Sequence, residues 1–159
     1  MSEYINQIRK TVGTQKILVP TTACIILNER EEVLLQLRSD LELWGCPGGI
    51  MDFGETAVES VKREVLEETA LEILDPWLFG VYSGDRYEGR YPNGDEIAVV
   101  QLAFVAEKFA GTLTHDAESL RLEFFPLESL PDQIAPHHLE FLENFRDYLG
   151  GRRTIPVVL

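Results

Sequence analysis

The chain is short of basic residues. Lysine and arginine number 14 against 27 aspartates and glutamates, for a net charge of −13. That deficit speaks against a nucleic-acid partner, since a phosphate backbone needs a basic footprint. It speaks equally against adhesion to anionic membranes. No apolar run reaches the roughly 18 residues that a membrane-crossing helix needs. Two cysteines, Cys24 and Cys46, are too few for a disulfide framework and are expected as buried thiols in a reducing compartment. The opening MSEYINQIRK puts no apolar stretch behind a basic start, so no signal peptide and a cytoplasmic location are expected. No repeat, low-complexity segment or shift in composition marks a linker. The 159 residues, 45% apolar and 26% charged, are therefore expected to form one soluble globular domain, 1–159, with 1–16 as an N-terminal helical extension. If so acidic a protein handles a polyanion, positive charge must come from elsewhere, and a divalent cation would supply it.

Periodicity sketches the elements. Tyr4, Ile5, Ile8 and Val12 recur at helical spacing before Gly13. Strands are expected near 17–19, 22–27 and 33–38, the last two joined by the polar turn NEREE. LWGCPGGIMDFGE is a Gly-rich loop. Thr56 and Glu59 then make a T-x-x-E capping box for a helix running to about 69. Further strands are expected at 77–83, 97–109 and 122–127, with YPNGDE (91–96) as a turn. A last helix has Pro136 in its first turn and Gly150 past its end. Strands and helices mix without strict alternation, which predicts a mixed β-sheet with helices on its faces.

The helix after Thr56 crowds Glu64, Glu67 and Glu68 together, with Glu72 beyond. Glu68 has a glutamate four residues away on each side, and such pairs destabilise a helix by a few tenths of a kcal/mol each. On a wheel of roughly 100° per residue, Val58, Val61, Val65 and Thr69 form the stripe expected to be buried. Ala57 and Ser60 lie on the carboxylate side, where small side chains would leave a channel. Arg63 stands four residues from both Glu59 and Glu67 and can pair with either, whereas Glu68 has no such partner. Clustered hard oxygens behind a Gly-rich loop suggest Mg²⁺ or Mn²⁺, which prefer carboxylates, carbonyls and water.

Gly49, five residues, Glu55, seven residues and then REVLEETAL resemble the signature box of the Nudix hydrolases (MutT type), G-x5-E-x7-R-E-U-x-E-E-x-G-U with U apolar. Gly49, Glu55, Arg63, Glu64, Val65, Glu67, Glu68 and Leu71 match, and Ala70 replaces the family glycine, which predicts a different helix end. The resemblance implies an α/β/α sandwich and hydrolysis of a nucleoside diphosphate linked to another group, NDP–X, to NMP and P–X. It also implies that Glu64, Glu67 and Glu68, with the carbonyl of Gly49, hold Mg²⁺ or Mn²⁺, and that Arg63 holds Glu55. The general base would be Glu64, Glu67 or, from the loop GTLTHDAESL, Glu118, beside which Asp116 is another acid and His115 reads as a surface residue.

The substrate's tail must be read outside the box. Arg86, Tyr87 and Tyr91, in the tyrosine- and arginine-rich stretch 82–96, and Arg38 are candidates. Tyrosines suit stacking on a base and arginines suit phosphate, although a hairpin packing its tyrosines on the sheet edge explains the same composition. A small nucleotide-type substrate, ADP-ribose-like or a nucleoside triphosphate, is expected. The other readings are a non-catalytic nucleotide-binding module on the same fold, and an RNA end-processing enzyme, which the negative charge disfavours. The amphipathic segment 1–13 is expected to pack on its own domain or on the partner of a homodimer.

Overall fold

The computed structural model describes residues 3–91, 93–115 and 119–159. Its elements are α1 (Glu3–Val12), β1 (Ile17–Ile26), β2 (Glu32–Arg38), β3 (Trp44–Gly45), α2 (Ala57–Thr69), β4 (Leu71–Leu74), β5 (Trp77–Tyr82), a 3₁₀ turn (Asp85–Tyr87), β6 (Glu88–Arg90), β7 (Glu96–Ala106), β8 (Lys108–Gly111), β9 (Ser119–Pro126), α3 (Pro136–Leu149) and β10 (Val157–Val158). The helix starts follow local chemistry. Thr56 and Glu59 close the capping box, with the Glu59 N–H donating to Thr56 Oγ1 and the Thr56 N–H donating to Glu59 Oε2 at 2.8 Å. Pro136 opens α3, where its missing N–H is not needed.

The main sheet is mixed. Its strands run in the order β1-β7-β5-β10, with β6 also paired to β7; β1 is parallel to β7, and β10 parallel to β5. A smaller antiparallel sheet is ordered β3-β2-β9, and β4 pairs β8. β1 and β2 are buried on both faces, which is why they read as nearly continuous apolar runs. The two faces are divided by the strand period. Ala23, Ile25, Val33 and Leu35 join a core closed by Phe141, Leu142 and Phe145 of α3. Cys24, Ile26 and Leu34 join another closed by Val61 and Val65 of α2. The sheets thus lie between α2 and α3, as expected for an α/β/α sandwich. The helix α1 packs on its own domain: Ile5 is buried with Val19 and Ile97, and Arg9 donates to the carbonyls of Gly13, Gln15 and Glu96.

Four details depart from the sequence expectations. Pro20 does not divide the first strand: β1 is continuous from Ile17 to Ile26. The Pro20 carbonyl accepts the Met51 N–H at 3.2 Å, so the donor that proline lacks would point to the short flank of residues 50–51 and not to β7. The expected strand at 97–109 divides into β7 and β8, and β4 was not expected; its Leu71 and Ile73 are fully buried against α2. Val58 is 40% exposed, while Ser60 and Glu68 are buried. The buried face is therefore turned toward the carboxylates, and Ser60 packs against Thr22 (Oγ to Oγ 3.4 Å) instead of leaving a channel.

The end of α2 is the fourth. The substitution at residue 70 does not alter it, because Ala70 itself adopts the left-handed conformation (φ 57°, ψ 18°) and its N–H donates to the Leu66 carbonyl. Thr69 supports the turn: its hydroxyl donates to the Val65 carbonyl at 2.6 Å and accepts the Leu71 N–H at 3.2 Å. An alanine held there costs about 1 kcal/mol relative to glycine. Ala70→Gly is therefore expected to stabilise the protein by about 0.5–1 kcal/mol, a rise in Tm of roughly 1–4 °C. Thermal unfolding checks this, and a lower Tm would show that the alanine is not strained.

Candidate active site

Two glycines bring the loop 46–56 against α2. Gly48 (φ 151°) has no room for a side chain, since a Cβ there would lie 2.1 Å from the Thr22 carbonyl oxygen. A Cβ on Gly49 would lie 2.5 Å from Glu64 Oε2. The loop is laid along β1 by its carbonyls: Pro47 accepts the Cys24 N–H at 2.9 Å, and Gly49 accepts the Thr22 N–H at 2.8 Å. Between them, the Gly48 N–H faces α2 and donates to Glu68 Oε2 at 2.8 Å.

Arg63 lies amid the other carboxylates. Its Nε and Nη2 donate to the two oxygens of Glu55 at 2.5 and 3.0 Å, a bidentate fork. Its Nη1 donates to Glu64 at 2.7 Å and to Glu67 at 3.3 Å, and Nη2 also reaches the Ile50 carbonyl at 3.2 Å. One guanidinium thus neutralises the crowding and ties the loop to the helix. It holds the Glu55 carboxyl at about 2, well below the usual carboxylate range. Glu59, an expected partner of Arg63, is used by the capping box instead.

Glu68 is different. It is 6% exposed, and burial pushes its carboxyl up to about 8, against the opposing effect of the Gly48 N–H. Burial also raises Glu64, although Arg63 opposes it. Among the described residues no three Asp, Glu, His or Cys side chains converge as a metal-ligand set. Glu64 is drawn toward Arg63, and Glu68 lies apart on the Gly48 N–H. The donor chemistry nevertheless fits a hard divalent cation. Three carboxylates project from adjacent positions of one helix, and Glu68 is a buried acid with lone pairs that no cation neutralises at hydrogen-bonding distance.

These carboxylates form one end of a cleft of about 870 Å³. Arg38 and Tyr91, both expected to meet substrate, line it, and Arg38 is held by Asp40 at 2.9 and 2.7 Å. Arg86 and Tyr87 do not line it. Tyr87 is 4% exposed, stacks near Tyr82 in the core and donates its hydroxyl to Glu140 at 2.8 Å. Arg86 is exposed and pairs with the same Glu140. Tyr87 is thus a packing residue, the hairpin alternative weighed above, because the 3₁₀ turn at 85–87 folds its ring onto the sheet. His115 is exposed, as expected, while Asp116 and Glu118 lie outside the described residues.

Sequence reasoning passed over several cleft residues. His137 and His138 line the cleft from the first turn of α3, and His138 Nδ1 accepts the Cys46 N–H at 2.8 Å, so the α3 terminus holds the Gly-rich loop. Thr21 and Gln101 also line it, on adjacent strands and directly opposite each other in register. Thr21 Oγ1 and Gln101 Nε2 are buried without a hydrogen-bond partner, which costs roughly 1–3 kcal/mol for each group. The signal was present: a lone glutamine in IAVVQLAFVA interrupts an otherwise apolar strand.

The geometry has close parallels. Residues 18–145 match the NUDIX domain. An ADP-ribose pyrophosphatase of Methanocaldococcus jannaschii is 33% identical over 129 residues, 79% of this chain and 72% of that protein. The 8-oxo-dGDP phosphatase NUDT18 of Homo sapiens is 34% identical over 155 residues, 93% of this chain and 45% of that protein, so the chain spans less than half of that relative's length. The MutT protein from Methanosarcina mazei Go1 superposes with a TM-score of 0.70 at 23% identity, covering 85% of this chain and 97% of that one. The NUDIX domain of Shewanella oneidensis NrtR, complexed with ADP ribose, gives 0.69 at 23% identity, covering 94% and 99%. At these identities the structures establish the fold, and the match over residues 18–145 establishes the family: the chain belongs to the Nudix hydrolases.

Proposed function

We propose that the protein is a metal-dependent phosphoanhydride hydrolase that cleaves a nucleoside diphosphate linked to another group, NDP–X, to NMP and P–X. The observation that carries this is the buried Glu68 carboxyl beside Glu64 and Glu67, behind a loop whose Gly48 has no room for a side chain and whose Gly49 lies against the Glu64 carboxylate. Glu64, Glu67 and Glu68 would hold Mg²⁺ or Mn²⁺, with a backbone carbonyl of the loop. Gly49 is the expected donor: its carbonyl accepts one hydrogen bond, from the Thr22 N–H, and keeps a second lone pair for a cation. When bound, the cation neutralises diphosphate charge and lowers the pKa of a bound water.

The chain's own residues do the rest. Arg63 keeps Glu55 ionised and fixes the loop to α2, so the carboxylates meet a rigid wall. Glu67, with its side chain 59% exposed, is the most open acid of the box and can receive a proton from attacking water; Glu64 and the loop acid Glu118 are the other candidates for that role. Arg38, which lines the same cleft close enough to Glu68 to act on its charge, offers its guanidinium to a phosphate or a ribose. An ADP-ribose-like substrate is favoured by the likeness to the archaeal ADP-ribose pyrophosphatase; a nucleoside triphosphate is the second expected class, and the human relative's name, an 8-oxo-dGDP phosphatase, adds a nucleoside diphosphate to test. A panel of nucleotide sugars, dinucleotides and nucleoside triphosphates, assayed with Mg²⁺ and Mn²⁺, tests the reading. No turnover above a metal-free blank on any of them sinks it, and tight binding without turnover would favour the nucleotide-binding module instead.

Glu68→Gln separates stability from activity. A carboxyl whose folded pKa is raised loses stability as pH climbs from its ordinary 4.5 through about 8. The glutamine variant has no such loss and also drops two like-charge contacts. Without metal it is expected to melt at or above wild type, with the gap widening from pH 5 to pH 8, and to lose most activity. Added Mg²⁺ should raise the Tm of wild type more than that of the variant. Arg63→Ala should lower both Tm and activity, since it strips Glu55, Glu64 and Glu67 of their shared cation. Glu68→Gln with full activity and a clearly lower metal-free Tm would make Glu68 a structural residue.

Homodimer formation is proposed on one feature, the exposed Leu18 and Phe53 beside α1. Sedimentation at micromolar concentration decides it, and a clean 18.0 kDa species would refute it.

A further inference from the structure

The phosphate end of the cleft accounts for the carboxylates and leaves its floor unexplained. Thr21 and Gln101 face the cleft from paired positions of β1 and β7, 8% and 4% exposed. Thr21 Oγ1 and Gln101 Nε2 have no partner. Elsewhere the buried polar side chains of these sheets are satisfied: Gln36 donates to Ser119 Oγ at 2.7 Å, and Asn144 donates to the Tyr82 hydroxyl at 3.3 Å. An unpaired amide retained in a strand interior is therefore an exception that a ligand would resolve.

The surroundings define that ligand's chemistry. On the same strand face, Val99 and Ile97 precede Gln101 at alternate positions, and Tyr91 packs against that apolar cluster. The floor is thus an apolar platform that ends in a carboxamide and a hydroxyl. A platform of this kind suits the flat face of a heterocycle, while the carboxamide offers a donor beside an acceptor. A nucleobase edge with an acceptor beside a donor, as adenine presents through N7 and N6, is its complement. The terminal torsion of glutamine is broad, so the amide can turn to meet such an edge without leaving its rotamer. A saccharide would need many more hydroxyl partners than this floor provides.

We propose that Gln101, assisted by Thr21, is the specificity-determining residue for the substrate's tail, and that it reads an aminopurine base lying on Val99 and Ile97. This rests on the hydrolase reading for placing the phosphates at the carboxylate end. Its test is independent of metal and of turnover.

The metal-free protein is titrated with adenosine, and with purine riboside, which lacks the exocyclic amine, while ¹H–¹⁵N spectra are recorded. The side-chain amide of Gln101 is expected to shift with adenosine, and adenosine is expected to bind about fivefold or more tighter than purine riboside. Gln101→Leu should weaken adenosine about tenfold or more and erase that preference, with a Tm at or above wild type because an unpaired buried donor has been removed. Gln101→Glu keeps the shape but removes the donor; it is expected to lose the same preference, and it decides the matter if the leucine variant does not fold. Thr21→Val should weaken adenosine by a smaller factor. The inference is overturned if adenosine does not bind, if it binds without moving the Gln101 amide, or if the Gln101 variants keep the wild-type preference. In those cases phosphoanhydride hydrolysis, if measured, still stands. Adenosine binding through Gln101 in a protein that hydrolyses nothing would instead uphold this inference and remove the hydrolase reading.

Discussion

A single guanidinium holds the acidic site together. Arg63 spans Glu55 on the loop and Glu64 and Glu67 on α2, and it reaches the Ile50 carbonyl as well. Without it, these carboxylates would repel across a short distance with little water to screen them. With it, loop and helix form one rigid unit, and the place of every other feature follows. Gly48 and Gly49 can lie tight against β1, the Gly48 N–H reaches Glu68, and loop and carboxylates together line the cleft.

Glu68 is the one acid of the box that Arg63 does not reach. It sits on the buried side of α2 between Ser60 and Val65, where an ordinary helix would carry an apolar residue. Keeping a carboxyl there lowers the stability of the metal-free protein near neutral pH. Strain of this kind gathers at functional sites, where a ligand recovers it. The unpaired Thr21 and Gln101, which line the same cleft, follow the same logic. One cavity thus holds both a buried acid and two polar groups that the protein alone leaves without a partner.

Much of this was legible in the chain. The capping box, the length of α2 and the order of glutamates around Arg63 are local, and local chemistry sets them: the cap, the helical spacing and the like-charge run all fall within a few turns. The strand face patterns of β1 and β2 were legible as apolar runs, though Pro20 suggested a break that the edge geometry makes unnecessary. The sequence leaves Tyr87 between substrate contact and packing, because one tyrosine in a polar hairpin carries no mark of whether its ring turns to solvent or to the sheet. His138, 92 residues from its partner Cys46, had no local signal either.

By itself, the sequence determined the candidate set: the glutamates at helical spacing, the arginine among them and the Gly-rich loop before them. These follow from spacing and residue type, which act over a few positions. Tertiary structure alone decided which acids share a cation and which is buried, and which of the candidate arginines and tyrosines meet the cleft. Arg38 and Tyr91 reach it, while Arg86 and Tyr87 are taken up by Glu140 on α3. Burial and pairing depend on elements far apart in the chain: β1 beside β7, α2 on one face of the sheets and α3 on the other. A charge's partner and its exposure to water are set by that packing, and no window of sequence contains it.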